Sequence, residues 1–328
     1  MKAPQIVYIG VDVSKESLSF DAATMFVGDI PNTSAKIQAV LRKLAKKAGE
    51  ATTLHVCLEA TGPYGELLLD ECHKAGIRAS VLNPAKVRLY AKAISESAKT
   101  DPIDARVIRL FAETRKPEPA PPSSAACKNL RKLVLAREAL SKTLAQLAGT
   151  LESVDGPAAK SLRNLAAAAE KEIAALDAVI ARTLKEDARL NGLSSALCEI
   201  KGIGILTSAK IIALVPEIGT LGRRRATALA GLAPFTRQSG KWKGRSFIGG
   251  GRSEVRRALF MPATSARIHD PIQKAFYEKL TAKGKPYKVA LTAIMRKLFC
   301  HMDSVAARWL EEQEAADAAA CPESTATT

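Results

Sequence analysis

The chain has 328 residues, 47% hydrophobic and 25% charged. At about 150 residues per domain that length suits two average domains, and the balance excludes a mostly disordered or fibrous chain. The net charge is +16 and uneven. Residues 201–310 hold 21 basic and 5 acidic residues, and residues 311–328 hold five acids and no base, so the positive field points to a polyanion, nucleic acid or an anionic membrane surface.

In chain order, Ile6–Val11 is a β-branched run, Ser14–Ser17 a polar turn and Leu18–Ala23 a second strand. Ile37, Val40, Leu41, Leu44 and Ala48 recur at helical spacing. Leu54–Leu58 reads as a strand ending at Glu59, Leu67–Lys74 as a helix stopped by Gly76, and Ile77–Leu82 as a further strand. Ala85–Arg115 is mostly helical. This order predicts an α/β domain with a mixed sheet over residues 1–122. Prolines 117, 119, 121 and 122 then predict a stiff extended spacer.

Residues 123–192 are expected to be helical. Leu130, Leu133, Arg137, Leu140, Leu144, Leu147 and Leu151 form a heptad seam with one arginine. Asp155-Gly156-Pro157 breaks it, and a second apolar stripe runs through Leu162, Leu165, Ala169, Ile173, Leu176, Ile180 and Leu184. The two stripes suit either a folded-back hairpin or pairing between subunits. A third domain is expected over 193–315. There Gly202-Ile203-Gly204 joins two helical patterns like a helix-hairpin-helix motif, whose backbone N–H groups suit a phosphate. A plain glycine turn between packed helices explains the same pattern. The Ala- and Glu-rich stretch after Glu311 predicts a frayed helix end, with a disordered tail over 316–328.

No apolar run reaches the ~18–20 residues of a membrane span, and Asp12 interrupts the only N-terminal stretch resembling a secretion signal. The six cysteines show no zinc spacing and read as reduced thiols of a cytoplasmic chain. His55-x-Cys57 and Cys72-His73 read as packing residues rather than ligands.

Four acids stand where chemistry needs them: Asp12 near the end of the first strand, Glu59 ending a later one, and Asp101 and Asp104 three apart at the start of a helix. Taken singly, they are a turn former, a strand-end charge and a helix cap. Taken together, they form an oxygen-donor set for a pair of Mg²⁺ ions engaged in phosphoryl transfer. In the basic third part, Arg223, Arg224 and Arg225 form a triple step. Arg237, Lys241, Lys243, Arg245 and Arg252 then surround a glycine-rich stretch with Trp242 and Phe247 for stacking. Ser239 sits among these cations. On spacing alone it is a loop serine, because no histidine lies near it in sequence.

The segments YIGVDVSKESLSF, LEATGPYG, KTDPIDA, GIGILTSAKIIAL and GLAPFTRQSGKWKGRSFIGGGRSEVRRALFMPA run in an order that resembles a family of bacterial insertion-sequence transposases. This is the DEDD type, the IS110 family, also described as bridge-RNA-guided recombinases. The resemblance implies a RuvC-like domain of the RNase H fold, with Asp12, Glu59, Asp101 and Asp104 holding Mg²⁺ or Mn²⁺. A coiled-coil insertion would follow, then a transposase domain with Ser239 as nucleophile. It also implies a covalent phosphoserine link to DNA and a structured guide RNA that pairs with donor and target DNA. The working particle would be a homo-oligomer, dimers pairing into a tetramer, acting at the nucleoid. Two other readings fit the residues: a metal-dependent nuclease of the Holliday-junction resolvase type, and a non-catalytic nucleic-acid adaptor.

Overall fold

In the computed structural model, the run expected at 6–11 becomes β1 (Gln5–Val13), the central strand of a five-stranded sheet. The structure describes residues 5–49, 51–60, 62–94, 101–236, 238–239, 242–244 and 246–320; within these, the side chains of 101, 102, 242, 243 and 318–320 are not described. The chain divides into two compact units, Met1–Pro122 and Ser123–Thr328.

The N-terminal unit follows β1 with β2 (Ser17–Asp21), β3 (Val27–Pro31), α1 (Ser34–Ala48), β4 (Thr52–Glu59), α2 (Glu66–Lys74), β5 (Arg78–Leu82), α3 (Pro84–Ala93) and α4 (Asp101–Arg115). The strand order is β3-β2-β1-β4-β5. The pairs β3/β2 and β2/β1 are antiparallel, while β1/β4 and β4/β5 are parallel. The mixed sheet is thus as expected, with one strand added. β3 gave no sequence signal because it is an edge strand carrying Gly28, Asp29 and Pro31, with no buried residue.

Strand alternation divides the core between the two faces. Ile9, Val11, Val13, Leu54, Val56 and Leu58 pack under α1 and α2. Tyr8 and Cys57 point the other way, against Val87 of α3 and Val107, Ile108 and Phe111 of α4. The proline-rich segment is not a free spacer. Ala120 N donates to Ala79 O at 2.7 Å, and Ser80 Oγ donates to Glu118 O at 2.6 Å, so it is pinned to β5. An exposed strand edge offers unpaired N–H and C=O groups, and these extended residues satisfy some of them.

The C-terminal unit is helical apart from a small ribbon. α5 (Ala125–Leu151) starts at Ser124, whose Oγ accepts from Cys127 N at 3.1 Å. α5 and α6 (Gly156–Glu186) fold into a hairpin along the expected seam. In the second stripe, Leu165 is 53% exposed and does not join the seam, while Ala169, Ile180 and Leu184 are buried. The open end of the hairpin enters a single core. Leu130, Val134, Ile180 and Leu184 share it with α7 (Ala188–Cys198), α8 (Ile205–Leu214), α9 (Gly222–Leu229) and later helices. The boundary expected at 192/193 therefore falls inside one hydrophobic core.

The unit ends with α10 (Ser253–Ala258), α11 (Phe260–His269), α12 (Pro271–Ala282) and α13 (Tyr287–Ala320). α13 runs through the core and buries Leu291, Ile294, Leu298, Phe299 and Met302. Its last turns continue through 316–320, where a disordered tail was expected; residues 321–328 lie outside the described ones. Among the described residues no helix is long and apolar enough to cross a membrane.

Candidate active site

The placement of the acids follows from strand parity. Gly10 and Asp12 alternate with Ile9, Val11 and Val13, so they face α4. Cys57 faces α4 as well, and two residues on Glu59 does the same. Val11 pairs with Leu58 in parallel register, which puts Asp12 and Glu59 at the same end of neighbouring strands. α4 crosses this face with its backbone directly on Gly10: a Cβ there would overlap the Ala105 carbonyl oxygen and lie 2.6 Å from Arg109 N. Glu113, in the last turn of α4, and Lys116, just past its end, line the same hollow as Gln5–Tyr8. α4 therefore runs opposite to β1, and its first turn, with Asp104, arrives at the end that carries Asp12 and Glu59.

An ion pair fixes this crossing. Arg109 Nε donates to Asp21 Oδ1 at 2.6 Å, and its Nη1 donates to Glu113 Oε1 at 2.6 Å. Asp21 is the β2 partner of Gly10. Sequence reasoning missed Gly10 and Arg109 as positioning residues; the one legible signal was a glycine inside a β-branched strand.

Asp101 starts α4, but its side chain lies outside the described ones. Among the described residues, no group of three or more histidine, cysteine, aspartate or glutamate side chains is arranged to hold a metal ion. The donor chemistry at this sheet end is carboxylate oxygen, which fits Mg²⁺. The soft donors are elsewhere. Cys57 and Cys72 are fully buried, and burial pushes both thiols up to about 12. They are packing residues.

Ser239 lies on an exposed ribbon. β6 (Pro234–Phe235) pairs with β9 (Phe247–Ile248), and β7 (Gln238–Ser239) pairs with β8 (Trp242–Lys243), both antiparallel. Phe235 faces Phe247, but Ser239 faces Trp242. The register differs by one residue between the two ladders. Ser239 is exposed at the outer end of the ribbon, and the Phe235 and Phe247 rings lie 6.3 Å apart at its base. Arg237, Lys241 and Arg245 lie outside the described residues, as do the side chains of Trp242 and Lys243.

The glycines at the foot of this ribbon serve packing. Gly231 and Gly251, both at positive φ, sit against each other's turns: a Cβ on Gly231 would overlap Gly250 O, and one on Gly251 would overlap Gly231 N. Arg256 Nη1 closes the foot on Gly250 O at 3.0 Å. Gly202 of the α7–α8 turn behaves likewise, with Pro262 O 3.0 Å from where its Cβ would be, whereas Gly204 faces open space.

The expected basic residues separate into two kinds. Arg223, Arg224 and Arg225 are exposed on α9. Arg252, expected to meet nucleic acid, is committed within the fold. Its guanidinium donates to Glu217 Oε1 at 2.6 Å, Glu217 Oε2 at 2.9 Å and Leu214 O at 2.9 Å. Burial works to raise the Glu217 pKa, but the hydrogen bonds and charge of Arg252 outweigh it and hold the carboxyl below its ordinary value.

Known proteins resemble both parts. A family model described as a transposase, the DEDD type of IS110, matches residues 9–154. Another, described as the transposase of the IS116/IS110/IS902 family, matches residues 194–278. The pilin gene-inverting proteins of Moraxella bovis and Moraxella lacunata are each 28% identical over 300 residues, 89% of this chain and 92% of theirs. An uncharacterized 43.6 kDa protein of insertion element IS110 from Streptomyces coelicolor is 32% identical over 152 residues, 45% of this chain and 35% of that protein. The first matched segment contains all four acids, and the second contains Ser239.

Proposed function

We propose that the chain, which is similar to transposases of the IS110 family over residues 9–154 and 194–278, is a DNA transposase/recombinase that cuts and rejoins DNA through a phosphoserine link at Ser239, with Mg²⁺ or Mn²⁺ held by Asp12, Glu59, Asp101 and Asp104. The observation that carries this reading is the crossing of α4 over Gly10, which brings Asp104 to the sheet end of Asp12 and Glu59. Three antiparallel strands followed by two parallel ones, with α4 across the central strand, is the arrangement we read as a RuvC-like domain of the RNase H fold.

The metal supplies, when bound, positive charge to the oxygens of a transferring phosphate. Ser239 supplies the nucleophile. Its Oγ forms a bond to phosphorus, the bond from phosphorus to the leaving nucleoside oxygen breaks, and the hydroxyl proton is transferred to that oxygen. One phosphodiester replaces another. Attack by the hydroxyl of a second strand reverses the step and frees the serine, so joining needs no nucleotide cofactor. The relatives are named for inverting a gene, an outcome that requires strands to be rejoined as well as cut. That favours a recombinase over a hydrolytic nuclease of the resolvase type.

Sequence choice is assigned to a structured guide RNA paired with donor and target DNA, while the basic C-terminal unit holds backbones. The particle is a homo-oligomer of dimers paired into a tetramer, working on nucleoid DNA in the cytoplasm. The test is a denaturing gel of labelled DNA incubated with Mg²⁺, the element's RNA and protein. The wild type gives a protein–DNA adduct, Ser239→Ala gives neither adduct nor joined product, and Asp104→Asn binds DNA without cutting it. Cutting that survives Ser239→Ala overturns the serine mechanism.

A further inference from the structure

We propose that the cavity walled by α9, α12 and the middle of α13 is a phosphodiester subsite, with Arg223, Arg296 and Lys297 as its cations and the His301 ring beside them. It measures about 390 Å³, at the lower end of the range of ligand pockets. It deepens the reading above, since the polyanion is the nucleic acid on which a transposase works.

The wall is built by helix geometry. Arg296 and Lys297 stand four residues before Cys300 and His301, so two pairs at i, i+4 share one face of α13. Arg223 comes from the first turn of α9, and α9 is tied to that same face. Cys300 Sγ donates to Arg223 O at 3.7 Å, and Thr227 Oγ1 lies 3.5 Å from Cys300 Sγ. On the third wall, Lys297 Nζ sits 3.8 Å from the centre of the Phe276 ring of α12. The cations therefore stand on elements that are held together, which reduces the ordering cost of gripping a phosphate.

The charge of the lining is unbalanced. Its one carboxylate is Asp270, and this is spent as the cap of α12: Oδ1 accepts from Ile272 N at 2.9 Å and from Gln273 N at 3.4 Å. Gln273, also in the lining, has a buried Oε1 without a hydrogen-bond partner. An acidic peptide would satisfy the same cations. The +16 excess of residues 201–310 and the family's DNA-directed activity favour a phosphodiester backbone.

The test compares the full-length protein with the Arg296→Gln/Lys297→Gln double variant and with Lys297→Gln alone, which removes one charge and its contact with the Phe276 ring. Binding is read by fluorescence anisotropy without metal, on a 30-base-pair DNA duplex and on a 30-nucleotide single-stranded RNA, from about 50 to 300 mM salt. Each lost phosphate contact should lower the slope of log K against log salt by about 0.9 on duplex DNA and about 0.7 on the single strand. The double variant should lose about twice that, and Lys297→Gln about one contact. A change on the duplex alone assigns the subsite to DNA, one on the RNA alone assigns it to RNA, and one on both assigns it to either backbone. Unchanged slopes on both probes, in variants whose unfolding curves match wild type, overturn the subsite. Failure of the wild-type chain to bind either probe would instead overturn the nucleic-acid reading on which it rests.

Discussion

Gly10 of β1 and Ala105 of α4 meet backbone to backbone, with no room for a side chain between them. Because main-chain atoms cannot rotate away, Gly10→Ala must push α4 off the sheet and carry Asp104 with it. Overpacking of side chains costs about 1–3 kcal/mol, and this site should reach the top of that range. Urea unfolding should show the loss, together with loss of DNA cutting. Gly149→Ala, on an exposed stretch of α5 with open space around it, is the control and should be neutral or slightly stabilising. Equal stability of the two variants would refute the close-approach argument.

What was legible in the sequence was local. The strands of the first unit, the helix carrying Ile37–Leu44, and the heptad seam all announce themselves by period. The edge strand β3 does not, since an exposed strand has no apolar alternation to show. Nor does the pinning of residues 118–120 to β5, because prolines specify an extended chain and not what it lies against. At the candidate site, the acid types were readable, but the arrival of Asp104 at the sheet end of Asp12 and Glu59 depends on α4 crossing Gly10, a long-range fact. For Arg252, composition misled: a cation in a basic stretch looks free until its partner Glu217, 35 residues earlier, is placed beside it.

Arg252 should therefore act on stability, not on DNA affinity. Arg252→Ala removes three hydrogen bonds and leaves Glu217, whose side chain is 25% exposed, without its counter-charge. Partial exposure of both groups lowers the cost from the ~3–5 kcal/mol of a fully buried pair to about 1–2 kcal/mol. Thermal unfolding should show the loss, while the salt dependence of DNA binding stays as in wild type. Arg224→Ala, on the exposed face of α9, should do the reverse. A flattened salt slope for Arg252→Ala would return this arginine to the nucleic-acid interface.

The N-terminal unit should weaken in mild acid because of His55. This side chain is 2% exposed, with Nε2 2.7 Å from Ser80 Oγ. Ser80 uses its proton on Glu118 O, so the imidazole is assigned as the donor to Ser80. Burial first, and then the charge of Arg78, lower its pKa to about 4. Neutral His55 is thus favoured in the fold, while the unfolded chain takes up a proton near pH 6.5. The contribution is fully present above that pH, declines as pH falls, and levels off near pH 4, a total of roughly 3 kcal/mol. His55→Gln should flatten this part of the stability–pH curve between pH 7.5 and 4.5. Parallel curves for wild type and variant would exclude His55 as the source.

The arginine in the heptad seam sets the register of the α5–α6 hairpin. Arg137 Nε donates to Asp177 Oδ1 at 2.5 Å and Nη2 to Oδ2 at 3.1 Å, a two-point contact across otherwise apolar stripes. Arg137 is 16% exposed and Asp177 27%, so each is partly desolvated. Asp177→Ala should cost about 1–3 kcal/mol, since it removes the two-point partner and leaves Arg137 with only its 3.3 Å hydrogen bond to Ser141 Oγ and the Glu138 carboxylate at 4.0 Å. Replacing both residues with leucine removes the desolvation penalty as well as the attraction, and should come out near wild type or above it. With Arg137→Leu and Asp177→Leu as the single variants, the cycle should give a coupling energy of about 1–2 kcal/mol. Leucines at both positions also let the stripes slide or meet another copy, because the polar contact that fixed one pairing has gone. Light scattering on the double variant should therefore show a changed distribution of oligomers. A coupling energy near zero with an unchanged mass distribution would mean that the apolar stripes alone hold the hairpin in register.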